Sequence, residues 1–144
     1  MVTLDFQDLD KVLNTIKDFQ IEGFNYYFRV YWNGNEGVNT EGSWYVDILR
    51  NPTLEEQDAG GLSTEGYKYI LAGLKVMPNA PLPTYRYSHE NNNLFDGEVW
   101  CFDTDNTQEG DYPSLTNFGT NKRFTLVYMT KDEMEESGIK LRNN

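Results

Sequence analysis

Phe24-Asn25-Tyr26-Tyr27-Phe28-Arg29-Val30-Tyr31-Trp32 is the stretch that decides the fold class. Tyr26, Phe28, Val30 and Trp32 fall on one side of an extended chain, and Asn25, Tyr27, Arg29 and Tyr31 on the other. That two-residue period is the mark of a β-strand. Both sides carry aromatics, which predicts that both are covered. Just upstream, Thr15 to Ile21 also reads as a strand, and Glu22-Gly23 as a turn between the two. Downstream, Asn33-Gly34-Asn35-Glu36-Gly37 breaks the strand with residues that tolerate positive φ. A further strand follows at Ser43 to Leu49, where Trp44, Val46 and Ile48 alternate with Tyr45, Asp47 and Leu49. The pattern predicts an antiparallel hairpin closed by a long polar loop.

Arg50 to Gly66 is a polar excursion that opens on the Asn51-Pro52 turn signal and contains Gly60-Gly61. It exceeds the usual hairpin connection, and such loops often carry function or fold on a partner. Tyr67 to Val76 is strand-like again, its β-branched and aromatic content favouring strand over helix. Pro78, Pro81 and Pro83 punctuate a stretch that cannot be a central strand. Tyr85 and Tyr87 lie close behind, and His89 to Asn93 is a polar turn. Glu98 to Phe102 reads as a short strand, Thr104 to Asp111 as an acidic loop, and Arg123 to Met129 as the last strand, with Phe124, Leu126 and Tyr128 on one face.

The two ends are less regular. Leu4, Phe6, Leu9, Val12, Leu13 and Ile16 fit either one face of a short helix or an extended arm entering a strand. Lys131 to Leu141 reads as a short helix, with Asp132, Glu133, Glu135 and Glu136 favouring its N-terminal end. The organisation expected is an N-terminal arm or short helix over 1–14, a β-rich domain over 15–130 and a C-terminal helix or tail over 131–144. The fold class is all-β: about six mainly antiparallel strands in a small barrel or sandwich, with a short C-terminal helix and long polar loops.

At 144 residues the chain has the size of one domain. Aromatics are 15% of it and ten of them are Tyr, a residue whose apolar body and polar tip suit half-buried strands and protein interfaces. The net charge of -11 repels phosphates and anionic lipid heads and steers toward basic partners. It argues against direct nucleic acid binding, which needs many Lys and Arg. No run approaches the length of a membrane span. Asp5, Asp8 and Asp10 interrupt any signal-peptide-like run, which predicts synthesis in the cytoplasm.

Candidate chemistry is sparse. Cys101 is the one cysteine and His89 the one histidine, so no intrachain disulfide or cysteine-based zinc site can form. Cys101 alternates with Trp100 and Phe102 and reads as a small buried hydrophobe. Asp103, Asp105, Asn106 and Glu109 resemble a fragment of a calcium loop, but Gln108 stands where the glycine belongs and the flanks read as strands. Asp47, Glu98 and Asp103 supply acid pairs for glycoside hydrolysis only if the fold brings them together. His89 in its polar turn reads as a surface residue. Arg29 between Tyr27 and Tyr31 is a local basic-aromatic cluster. No catalytic, cofactor or metal set emerges, and the expectation is a non-enzyme that works through contacts. Tyr27, Arg29, Tyr31, Tyr85 and Tyr87 are the candidate interaction residues.

One order of features stands above a generic β-domain. Gly23 precedes the Tyr-rich strand from Tyr26 to Trp32, and Trp44-Tyr45-Val46-Asp47-Ile48 follows. Gly73, Pro81-Leu82 and Tyr85 occupy the middle. Leu94-Phe95-Asp96-Gly97-Glu98-Val99-Trp100 and Asp103 come next, then Tyr112-Pro113-Ser114-Leu115-Thr116-Asn117-Phe118-Gly119 and Arg123 through Tyr128. From about Thr15 to Met129 this order resembles the cyanophage-type baseplate plug family of contractile-tailed bacteriophages. The Arg50 to Gly66 loop, the Thr104 to Asp111 loop and the C-terminal tail stand outside the resemblance. It implies a structural virion protein of the tail baseplate, a plug near the distal end of the tail tube. Baseplate hub and tail tube proteins, and the tape measure protein, are the implied neighbours, with several copies as a homo-oligomer around a symmetry axis. The alternative reading is an acidic phage-encoded inhibitor, a DNA mimic that occupies a basic host protein.

Overall fold

A computed structural model describes residues 2–9, 11–34, 42–51, 68–84, 95, 97–105, 113–114 and 116–136. Among these residues the elements are β1 (Val2–Thr3), β2 (Asn14–Ile21), β3 (Phe24–Gly34), β4 (Gly42–Arg50), β5 (Lys68–Lys75), β6 (Ala80–Pro81), β7 (Glu98–Asp103), β8 (Phe124–Met129) and one helix, α1 (Lys131–Glu136). They form two four-strand sheets: sheet I in the order β1-β8-β7-β6 and sheet II in the order β2-β3-β4-β5. Every pairing of named strands is antiparallel. Of the two expected architectures the chain adopts the sandwich. The six expected strands are all present, joined by two-residue strands at β1 and β6. Pro81 sits in β6 at the edge of sheet I, where its missing N–H leaves no gap in a ladder.

The alternation read in β3 sets sheet II. Tyr26, Phe28, Val30 and Trp32 are buried, as are their neighbours Trp44, Val46 and Ile48 on β4. Glu22 and Gly23 have φ of 54° and 84°, the positive pair that a two-residue turn needs to match the twist of its strands. Beyond β4 the alternation slips. β5 carries register shifts against β4, and Gly73 takes φ 72°. The shift explains why Leu71 and Leu74, three positions apart, are both buried.

The inner faces of both sheets share one core. Phe95 is its keystone, with its ring edge-on to Tyr26 at 5.3 Å and to Tyr128 at 5.5 Å. Trp44 is fully buried, and its indole N–H donates to the Ser114 carbonyl at 2.7 Å. Without that acceptor the buried donor would cost about 1–3 kcal/mol. A hydrogen-bonded tie also spans the sheets. The Glu22 carboxylate accepts the Gly97 N–H at 3.0 Å and the Tyr128 hydroxyl, so the tip of the β2–β3 turn is fastened to sheet I.

The N-terminal segment is the extended arm and not the helix. Leu4, Phe6 and Leu9 are each 1% exposed, whereas Val12 and Ile16 are 53% and 41% exposed. No single helical face buries the first set and frees the second. On the outer side of sheet I, Val127 and Met129 pack with Met134 of α1, flanked by Trp100 and Phe102. Thr130 and Glu133 exchange hydrogen bonds at the start of α1, a capping box legible as Thr-x-x-Glu. The described helix closes at Glu136, and the remainder of the expected 131–141 segment lies outside the described residues.

Gly97 tests this closure. A Cβ there would stand 2.2 Å from the Met129 carbonyl oxygen and 2.6 Å from the Tyr128 hydroxyl. Gly97→Ala is expected to lose at least about 2 kcal/mol by overpacking, lowering the thermal midpoint by roughly 5–10 °C in a circular dichroism melt.

Candidate interaction surface

Strand register builds the outer face of sheet II. Tyr27, Arg29 and Tyr31 of β3 stand opposite Asp18, Ile16 and Asn14 of β2, and opposite Leu49, Asp47 and Tyr45 of β4. Lys75 of β5 stands opposite Tyr45. The Tyr31 and Tyr45 rings stack with centroids 5.9 Å apart and planes 22° from parallel. The Arg29 guanidinium lies 5.6 Å from the Tyr31 ring centroid, and its Nε donates to Asn14 Oδ1 at 3.0 Å. A cation over an exposed ring contributes about 0.5–1 kcal/mol, a modest bias toward this arrangement of the side chains. The result is a half-buried aromatic patch with Ile16 exposed beside it.

Asp47 underlies this patch. It is 5% exposed and accepts the Gly73 N–H at 2.7 Å. A carboxylate removed from water needs such donors, and the left-handed Gly73 supplies one by turning its N–H toward β4. Burial first, and then the charge and hydrogen bond of Asp47, push the Tyr31 phenol above its ordinary value.

Tyr27, Arg29 and Tyr31 thus come together as one surface, while Tyr85 and Tyr87 lie outside the described residues. Tyr45 and Ile16 belong to the same surface, which the sequence alone does not mark. The outward side of Tyr45 is readable from its alternation with Trp44, but its stacking on Tyr31 depends on the register between β3 and β4.

The other candidate residues serve the framework. Asp47 is on the outer side of sheet II, while Glu98 stands opposite Met129 on the outer side of sheet I. The fold sets them on opposite sides of the sandwich. Asp103 is bound by both Arg123 Nε and an Arg123 terminal nitrogen at 2.9 Å. The Arg123 hydrogen bond, more than its charge, holds the Asp103 carboxyl below the ordinary carboxylate value, with the Asp105 N–H contributing. Cys101 is fully buried as expected, and burial pushes its thiol up to about 12. Asn106, Glu109 and His89 lie outside the described residues.

The remaining motif residues close the loop before β8. Asn117 accepts the Ser114 N–H on its side chain at 2.6 Å and the Phe124 N–H on its carbonyl at 3.0 Å. Gly119 has φ 124° and sits against Phe6, whose carbonyl oxygen would be 2.8 Å from any Cβ. No helix of the described residues is long and apolar enough to cross a membrane.

Residues 1–132 match the family model described as "Cyanophage baseplate Pam3 plug gp18". Among curated proteins no match was found.

Two titrations check the electrostatics. Asp47→Asn keeps an acceptor for Gly73 and removes the charge, so it is expected to lower the Tyr31 pKa; the tyrosinate absorbance titration, differenced against Tyr31→Phe, reads it. Asp103 has a depressed folded-state pKa, so its contribution is present above the unfolded value and lost as pH falls through the folded one. Asp103→Asn is therefore expected to destabilise at neutral pH and to flatten the loss of stability below about pH 4 in acid denaturation curves.

Proposed function

The chain belongs to the cyanophage baseplate plug family, and from that premise we propose that it acts through protein–protein contacts alone, without catalysis, as a hub-associated plug at the distal end of the tail tube. Family membership makes it a structural protein of the phage baseplate. The finer reading is that it is made in the host cytoplasm and built into a contractile tail. There it contacts baseplate hub and tail tube proteins, with the tape measure protein as a further neighbour, in several copies around the tail axis.

The observation that carries this reading is the outer face of sheet II. Tyr and Arg are the residues that dominate binding energy at protein interfaces. Here Tyr27, Arg29, Tyr31 and Tyr45 are gathered on adjacent strands of a rigid sheet and ordered by stacking. The motif residues Trp44, Gly97 and Asn117 are committed to the framework, whereas Tyr27, Tyr31 and Tyr45 keep part of their surface in solvent.

The DNA-mimic alternative would need acids arrayed on one surface. Asp18 lies on the outer side of sheet II, Glu98 on that of sheet I, and Asp103 is paired with Arg123. Among the described residues these acids do not share one surface.

Purified virions provide the test. The protein is expected among virion components, with cross-links from the outer face of sheet II to hub or tube proteins. Tyr31→Ala with Tyr45→Ala is expected to leave the circular dichroism spectrum unchanged and to weaken incorporation about thirtyfold, the effect of removing about 2 kcal/mol at an interface hot spot. Absence from virions would sink the proposal.

A further inference from the structure

We propose that the N-terminal arm, from Val2 to Leu9, is exchanged between copies of this chain, each arm completing sheet I of a neighbour. The inference deepens the several-copy part of the function proposed above and rests on it.

The arm behaves as an inserted strand. Val2 and Thr3 pair with Tyr128 and Val127 at the edge of sheet I, and the Leu4 N–H extends that ladder by donating to the Leu126 carbonyl at 2.9 Å. The next contact is reciprocal. The Phe6 N–H donates to Thr120 Oγ1 at 2.8 Å and the Thr120 N–H to the Phe6 carbonyl at 2.7 Å. Gly119 lacks the Cβ that would collide with that carbonyl. Leu4, Phe6 and Leu9 are buried almost completely. Edge, reciprocal pair and glycine all belong to β8 and the loop before it, so an arm from a second copy finds the same receptor. Adding a foreign strand to a sheet edge is a recurrent mode of protein association, and exchange of an identical element is a low-cost route to oligomers.

The connection favours exchange on two further grounds. The Asp8 carbonyl accepts the N–H groups of both Lys11 and Val12, at 3.0 and 3.1 Å, turning the chain back toward β2. This turn holds Asp8 at φ 56°, a left-handed conformation that a side chain disfavours. Opening it relieves the strain, and tight strained hinges are the ones that swap. The closed form also leaves Val12 53% exposed in the hinge, apolar surface that a neighbouring copy would cover. A head-to-tail exchange closes into a ring around an axis, and a reciprocal one gives a two-fold dimer.

The test uses the isolated full-length protein and needs no virion, so it stands apart from the test of baseplate function. Thr3 and Val127 are direct cross-strand partners. The variant Thr3→Cys with Val127→Cys, oxidised at high protein concentration and run denatured without reductant, is expected to give interchain dimers or a ladder. Intrachain disulfides alone, whether the native protein is monomeric or oligomeric, would overturn the proposal. Should that variant fold poorly, Asp8→Gly relaxes the hinge and Asp8→Pro forbids its left-handed conformation. By size-exclusion chromatography with light scattering, the first is expected to raise the monomer-to-oligomer ratio at least about threefold and the second to lower it. Equal ratios in both would reject arm exchange.

Discussion

The two-residue period of β3 is the constraint on which the rest of the molecule depends. It commits Tyr26, Phe28, Val30 and Trp32 to the interior and sends Tyr27, Arg29 and Tyr31 outward. The inward set needs a second layer to exclude water, and sheet I provides it through Val99, Leu126 and Tyr128, with Phe95 ahead of β7 between the layers. The outward set is pleated onto a sheet anchored by that core and forms an ordered surface patch. One strand thus supplies both the adhesive for the fold and the presentation of its candidate binding face.

Several polar residues of the chain are devices for closing the sandwich. The Glu22 carboxylate bridges the β2–β3 turn to Gly97 and Tyr128. Asp47 turns a register shift in β5 into a satisfied buried carboxylate through Gly73. Arg123 holds Asp103 while lying 5.0 Å from the Phe124 ring centroid, and Asn117 ties the turn that delivers β8. Two of these, Asp47 and Asp103, are acids that the sequence offers as possible catalysts. Both are engaged by framework groups, Asp47 by the Gly73 N–H and Asp103 by the Arg123 guanidinium.

Local pattern carried a good deal of this. The strands from Thr15 to Leu49 were legible because alternation is a property of neighbouring residues, and Glu22-Gly23 announced a turn with the conformational freedom it needed. Pro81 announced an edge, and Cys101 between two aromatics announced burial. The arm was not legible. Leu4, Phe6 and Leu9 are buried against residues more than a hundred positions away, such as Thr120, and nothing in their spacing chooses between helix and extended chain. The patch was half legible: Arg29 between two tyrosines marked it, but Ile16 and Tyr45 join it only through pairing.

The sequence by itself determined the all-β class, the order of the main strands, and which side of β3 faces inward, because each follows from the stereochemistry of adjacent residues. Tertiary structure alone decided between barrel and sandwich, where the arm lies, and that Asp47 and Glu98 stand on opposite sides of the molecule. The physical reason is that register and sheet-to-sheet packing are set by contacts between residues distant in the chain. Tyr31 on Tyr45, Phe95 between Tyr26 and Tyr128, and Phe6 against Gly119 leave no trace in local spacing.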